Sequence, residues 1–162
     1  LLKTNITTAA SGSVAIIGLP NRDFSQVKFY TPSRSVDVQD RVAINGDYSA
    51  VYTNSIVSAG TRATDVSQNG CRIPNGSLVA SHSVTVDITS TSTDKYALYF
   101  SGTNEPASAA TAPVEFYGSC YYFPNGAFAG RNLTEIEFYL ATASAQTFGA
   151  GAELRGYGFR NP

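Results

Sequence analysis

The chain has 162 residues, a formal net charge of −1 and 14% charged side chains. That length holds one domain with its own core, and the near-neutral balance lacks the basic character of a nucleic-acid binder. There is no Trp or Met, one histidine (His82) and two cysteines (Cys71 and Cys120), so a four-cysteine or Cys/His zinc cage is excluded and the chain can close at most one internal disulfide. No apolar run nears the roughly 20 residues of a membrane-spanning helix.

Polar uncharged residues dominate, with 18 Ser, 16 Thr, 10 Asn and 14 Gly beside 10 Tyr and 9 Phe. Thr, Tyr, Phe and Val suit a pleated, half-buried surface, and strong helix formers are scarce. A 43% hydrophobic content is too apolar for a disordered chain. The composition therefore predicts an all-β domain.

In chain order, Val14 to Ile17 is a short apolar run ended by Gly18-Leu19-Pro20-Asn21, and Gln26 to Tyr30 follows, ended by Thr31-Pro32. From Val36 the even positions Val38, Val42 and Ile44 are also apolar, broken only by Asp40. Asn45-Gly46-Asp47 reads as a hairpin turn, because Asn and Gly tolerate positive φ, with Tyr48 to Thr53 as its return strand. Residues 58–82 are polar and turn-rich and read as a long surface connection. Val84, Val86 and Ile88 alternate with Ser83, Thr85 and Asp87, and Tyr96, Leu98 and Phe100 repeat the pattern. Thr103 to Pro113 reads as a loop, followed by the longest strand candidate, Val114 to Phe123.

Leu133 to Ala143 carries two signals. Leu133, Ile136 and Leu140 fall at helical spacing, and Asn132 with Glu135 resembles a capping box. Ile136, Phe138 and Leu140 also alternate with Glu135, Glu137 and Tyr139, and strand is preferred because a lone helix lacks a partner face. Ala152 to Phe159 closes the chain as a Gly-containing strand. Eight or nine strands without a helix predict an antiparallel two-sheet jelly-roll sandwich. Pro-Asn-Gly follows each cysteine, at 74–76 and 124–126, but the flanking strands differ and the recurrence reads as turn chemistry.

Few residues suggest catalysis. His82 sits between Ser81 and Ser83 without a Gly-x-Ser-x-Gly elbow and reads as an edge or partly buried histidine with a hydrogen-bond partner. Glu135 and Glu137 share one strand face about 7 Å apart, which reads as a wetted face rather than the opposed carboxylates of a glycosidase. No calcium loop or phosphate-cradling glycine loop is present, and no metal or cofactor is expected. Cys71 and Cys120 could bridge or stay as buried thiols. Asn5-Ile6-Thr7, Asn75-Gly76-Ser77 and Asn132-Leu133-Thr134 match the glycosylation pattern, with little weight in so Asn- and Thr-rich a chain.

Binding is better signalled. From Glu115 to Phe123 one strand face carries Tyr117, Tyr121 and Phe123, and the other carries Phe116, Cys120 and Tyr122. At such apolar density both faces are expected to be covered, by the partner sheet, a sister subunit or a sugar. Tyr117, Tyr121 and Phe123 are therefore the candidate subunit or ligand contact face.

Two segments resemble small β-sandwich proteins of tailed-phage virions. One is the ending, with alternating residues from Leu133 to Leu140, then Phe148-Gly149-Ala150-Gly151, then Leu154-Arg155-Gly156-Tyr157-Gly158-Phe159. The other is Val42-Ala43-Ile44-Asn45-Gly46-Asp47-Tyr48. The resemblance implies fold-defining roles for Asn45, Gly46, Asp47, Gly151, Tyr157 and Gly158. It also implies a virion location, and a homotrimer on the major capsid protein acting as a non-enzymatic decoration (cement) protein. Its alternative is a receptor- or carbohydrate-binding tip of a tail or head fibre, whose partner is a host-surface glycan. Partners are expected to include neither nucleic acid nor membrane. A tip normally follows a shaft, and a domain at 13–162 behind a short arm at 1–12 favours decoration. In that reading Leu1, Leu2 and Ile6 of the arm contact the capsid.

Overall fold

A computed structural model describes residues 3–19, 24–33, 40–73, 79–92, 94–106, 112–140 and 147–159. The described residues form twelve strands and one short 3₁₀ turn, at Gly126–Phe128. The strands are β1 (Lys3–Ile6), β2 (Ser13–Ile17), β3 (Phe24–Thr31), β4 (Asp40–Ile44), β5 (Tyr52–Ser58), β6 (Thr61–Gln68), β7 (Cys71–Ile73), β8 (Val79–Ser90), β9 (Tyr96–Pro106), β10 (Val114–Tyr122), β11 (Glu135–Leu140) and β12 (Glu153–Phe159). They make two antiparallel sheets. The larger has eight strands in the order β1-β12-β3-β8-β9-β10-β5-β6, and the smaller has four, β2-β11-β4-β7.

The all-β, two-sheet expectation holds because the two-residue period is kept wherever a strand has one face on the core. Val84, Val86 and Ile88 of β8, Leu98 and Phe100 of β9, and Phe116, Cys120 and Tyr122 of β10 are all buried in one cluster with Val42, Ile44, Ile136 and Phe138 of the small sheet. Phe29 of β3 stacks on Phe138 of β11, ring centroids 4.4 Å apart, and meets Phe148 edge-on at 5.0 Å. These rings join the two sheets face to face. Glu135–Leu140 is a strand, paired on both sides with β2 and β4. The helical spacing of Leu133, Ile136 and Leu140 is overridden by these pairings.

The described residues hold more strands than the eight or nine expected, because strands rich in polar residues lack the apolar alternation that marks a strand. Residues 58–82 hold β6, β7 and the start of β8, joined to β5 through a tight turn at Ala59 and Gly60, both at positive φ. As the edge of the large sheet β6 has no fully buried residue, only Ala63 packing partly against the core, so it needs no apolar alternation. β9 likewise runs to Pro106, into the segment 103–113 read as a loop.

The Asn45-Gly46-Asp47 segment does turn, with φ of 54° at Asn45 and 69° at Gly46, but it is not a hairpin. Strand β4 lies in the small sheet and β5 in the large one, so the turn carries the chain between sheets. Side-chain bonds fix this corner. Asp47, fully buried, accepts Ser49 N–H at 2.9 Å and the Ser49 hydroxyl on Oδ1, and the Tyr122 phenol at 3.0 Å on Oδ2. The Tyr52 phenol accepts Ile44 N–H and donates to the Asp47 carbonyl, both at 2.9 Å. Asn45 Oδ1 accepts the N–H groups of Thr134 and Glu135, tying the turn to the entry of β11.

Gly118 marks a place where two strands approach closely. A Cβ there would lie 2.5 Å from the Ser55 carbonyl oxygen and 2.6 Å from Phe100 Cζ, because the Phe100 ring covers the missing side chain from the next strand. Gly118→Ala is expected to destabilise the fold by about 1–3 kcal/mol, the usual penalty for overpacking. Urea unfolding checks this.

Candidate functional site

The buried parity of Phe116, Cys120 and Tyr122 sends Glu115, Tyr117, Ser119 and Tyr121 to the opposite, outer face of the large sheet. Register sets their neighbours. Tyr117 lies between Ser101 of β9 and Val57 of β5, Ser119 between Tyr99 and Ser55, and Glu115 beside Thr103. On β8, Thr85 adjoins Ser101 and Asp87 adjoins Tyr99. The outer face is thus a field of hydroxyls interrupted by tyrosines.

Two adjoining grooves lie on this face. One, of about 540 Å³, is lined by Ser55, Arg62, Tyr99, Tyr117 and Ser119 among others. The second, of about 390 Å³, is lined by Ser83, Thr85, Ser101, Thr103, Glu115 and Tyr117. Tyr117, 61% exposed, is the ridge between them. The neighbouring Tyr121 phenol pushes the half-exposed Tyr99 phenol up. Tyr121 stacks on Phe123 at 6.2 Å, and Arg62 donates to Ser55 Oγ at 3.2 and 3.3 Å.

The structure brings Tyr117, Tyr121 and Phe123 together on one exposed face of the chain. The small sheet covers the inner face only. Tyr99 was missed because Leu98 and Phe100 dominate its segment. The same alternation that buries those two exposes Tyr99 between them. Leu1 and Leu2 lie outside the described residues. Ile6 is exposed on β1, which pairs with β12 along the sheet edge. Gly151, at φ 86°, precedes β12, where Gly158 pairs with Ser25 and Lys28 Nζ lies 5.7 Å from the Tyr157 ring centroid.

His82 is fully buried, not at an edge. Its Nδ1 faces Asn104 Oδ1, its Nε2 lies 3.5 Å from Asp40 Oδ2, and its ring stacks on Phe116 at 5.4 Å. Sealed between the sheets, it has no access to a substrate. Asp40, which interrupts the apolar pattern, is buried with it. Among the described residues no three His, Cys, Asp or Glu side chains gather as metal ligands.

On the outer face of the small sheet, Glu137 does not keep the surface wet as expected. It is buried and accepts the Tyr48 phenol, whose ring meets Tyr139 edge-on at 5.2 Å. Desolvation, then bonding to Glu137, pushes the Tyr48 phenol well up. Glu135 is also pushed up, first by desolvation and then by the Glu137 charge. An acid whose pKa is higher folded than unfolded supports folding while protonated, and that support is lost as pH rises through the folded pKa. Glu135→Gln should therefore be more stable than the parent at pH 7 by less than about 1 kcal/mol, since the group is partly solvated. The advantage should vanish near pH 3, as read by thermal melts across pH.

No family model and no curated protein matches the chain. Two solved structures align with it, both of scytalido-glutamic peptidase. One holds a transition state analog inhibitor, at 17% identity and TM-score 0.31, covering 91% of this chain and 75% of that one. The other holds a peptide based transition state analog, at 19% identity and TM-score 0.30, covering 91% and 74%. Both structures are of an enzyme and no comparison matches a phage virion protein, so the expectation of a non-enzymatic phage virion protein, whether capsid decoration or fibre tip, is not supported. At such TM-scores the likeness assigns no active-site residue to this chain.

Proposed function

We propose that the outer face of the large sheet recognises an uncharged oligosaccharide chain lying across strands β8, β9, β10, β5 and β6. The observation that carries this reading is Tyr117, a rigid aromatic ridge with a hydroxyl-lined groove on each side. An aromatic ring offers its face to the C–H surface of a sugar ring, while neighbouring hydroxyls and a few charged groups bond its hydroxyls. Ser55, Ser83, Thr85, Ser101, Thr103 and Ser119 supply the hydroxyls, with Arg62 as a donor and Glu115 as an acceptor. Five adjacent strands span roughly 19 Å, which suits a chain rather than a single sugar.

Charge favours the same ligand. Among the described residues Arg62, Lys28 and Arg155 on this face are offset by Glu115, Asp87 and Glu153, which leaves no cationic track for a nucleic-acid backbone.

An array of neutral oligosaccharides probed with the purified protein tests the reading, followed by calorimetry with the best ligand. Tyr117→Ala is expected to weaken binding at least ten-fold, about 1.4 kcal/mol, while Ile17→Ser on the other sheet leaves it unchanged. An array without a binding oligosaccharide, or equal loss from both substitutions, would overturn it.

A further inference from the structure

Cys71 and Cys120 are far apart in sequence and lie in different sheets, in β7 and β10, yet both are buried in the same core. Asn54 shows how close they come. On β5 it is the register partner of Cys120, so their side chains are directly opposed. Its amide then reaches the backbone on both sides of Cys71, donating to the Gly70 carbonyl at 3.4 Å and accepting Arg72 N–H at 3.0 Å. Cys71 is thereby fixed beside Cys120 where β7 approaches β10, and burial, then the neighbouring Cys120 thiol, pushes the Cys71 thiol well up.

We propose that Cys71 and Cys120 are an inter-sheet disulfide site, closed when the chain folds in the presence of a small disulfide oxidant such as oxidised glutathione. In two exchanges, one protein thiolate attacks the glutathione disulfide and releases one reduced glutathione. The second protein thiolate then displaces the other. One S–S bond breaks and one forms, and the two electrons and two protons given up by the cysteines convert the oxidised glutathione into two reduced glutathiones. Both thiols are sealed from solvent in the folded chain, so exchange belongs to folding or to transient opening of β7. That strand is three residues long and, among the described residues, pairs with β4 on one side only. A bond to β10 would anchor it to the middle of the large sheet and close a loop of about 50 residues, long enough to restrict the unfolded chain substantially.

The test is refolding of the full chain from denaturant, with oxidised glutathione or with dithiothreitol, followed by alkylation in denaturant and intact mass. The oxidised sample is expected to be monomeric, 2 Da lighter as counted by the two hydrogens lost, and closed to alkylation. Its melting temperature should rise by several degrees, a gain erased by dithiothreitol and absent from Cys71→Ser. The mass readout on the parent chain stands even if that variant does not fold. Two alkylatable thiols, glutathione adducts or disulfide-linked dimers after oxidative refolding would overturn the proposal.

Discussion

The Asp47 carboxylate is the fixed point of this sandwich. It is buried where the chain leaves the small sheet for the large one, and it accepts bonds from Ser49 beside it and from Tyr122 at the end of β10. A buried carboxylate is tolerated only when its lone pairs are filled, and these donors fill them. The Tyr52 phenol completes the corner by holding the last residue of β4 and the Asp47 carbonyl together. Tyr52 and Tyr122 lie against one another at 4.9 Å. A polar knot and an aromatic pair thus join the two sheets.

That knot sets the parity of β10. With Tyr122 drawn inward to Asp47, the two-residue period also turns Cys120 and Phe116 inward, and Tyr121, Ser119 and Tyr117 outward. The outward set makes the tyrosine ridge and its grooves. The inward set brings one thiol against β7. Recognition surface and disulfide site are consequences of the same register, and a slip of one residue would abolish both.

Much of the fold was legible because an alternating strand identifies its buried face without its neighbours. The inner residues of β8, β9, β10 and β11 follow directly from their parity. Strand β6 was illegible for the opposite reason: an edge strand with no fully buried residue keeps no apolar period. The path after Asn45-Gly46 was equally hidden. Two residues at positive φ specify a reversal, but the choice between hairpin and crossover depends on Tyr122, some 75 residues away. In the candidate site, Tyr117 and Tyr121 were visible from the density of aromatics in β10, whereas Tyr99 and Ser55 joined it only through sheet order. The burial of Glu137 under Tyr48 likewise depends on a side chain from another segment.

Mild nitration of tyrosines followed by peptide mass spectrometry tests this register most directly. Tyr117 is 61% exposed and Tyr122 1%, so Tyr117 should be nitrated in the folded protein with Tyr121 slower, and Tyr122 and Tyr52 should react only after unfolding. Nitration of Tyr122 with Tyr117 protected would contradict the register, and the recognition face and the thiol pairing would be lost with it.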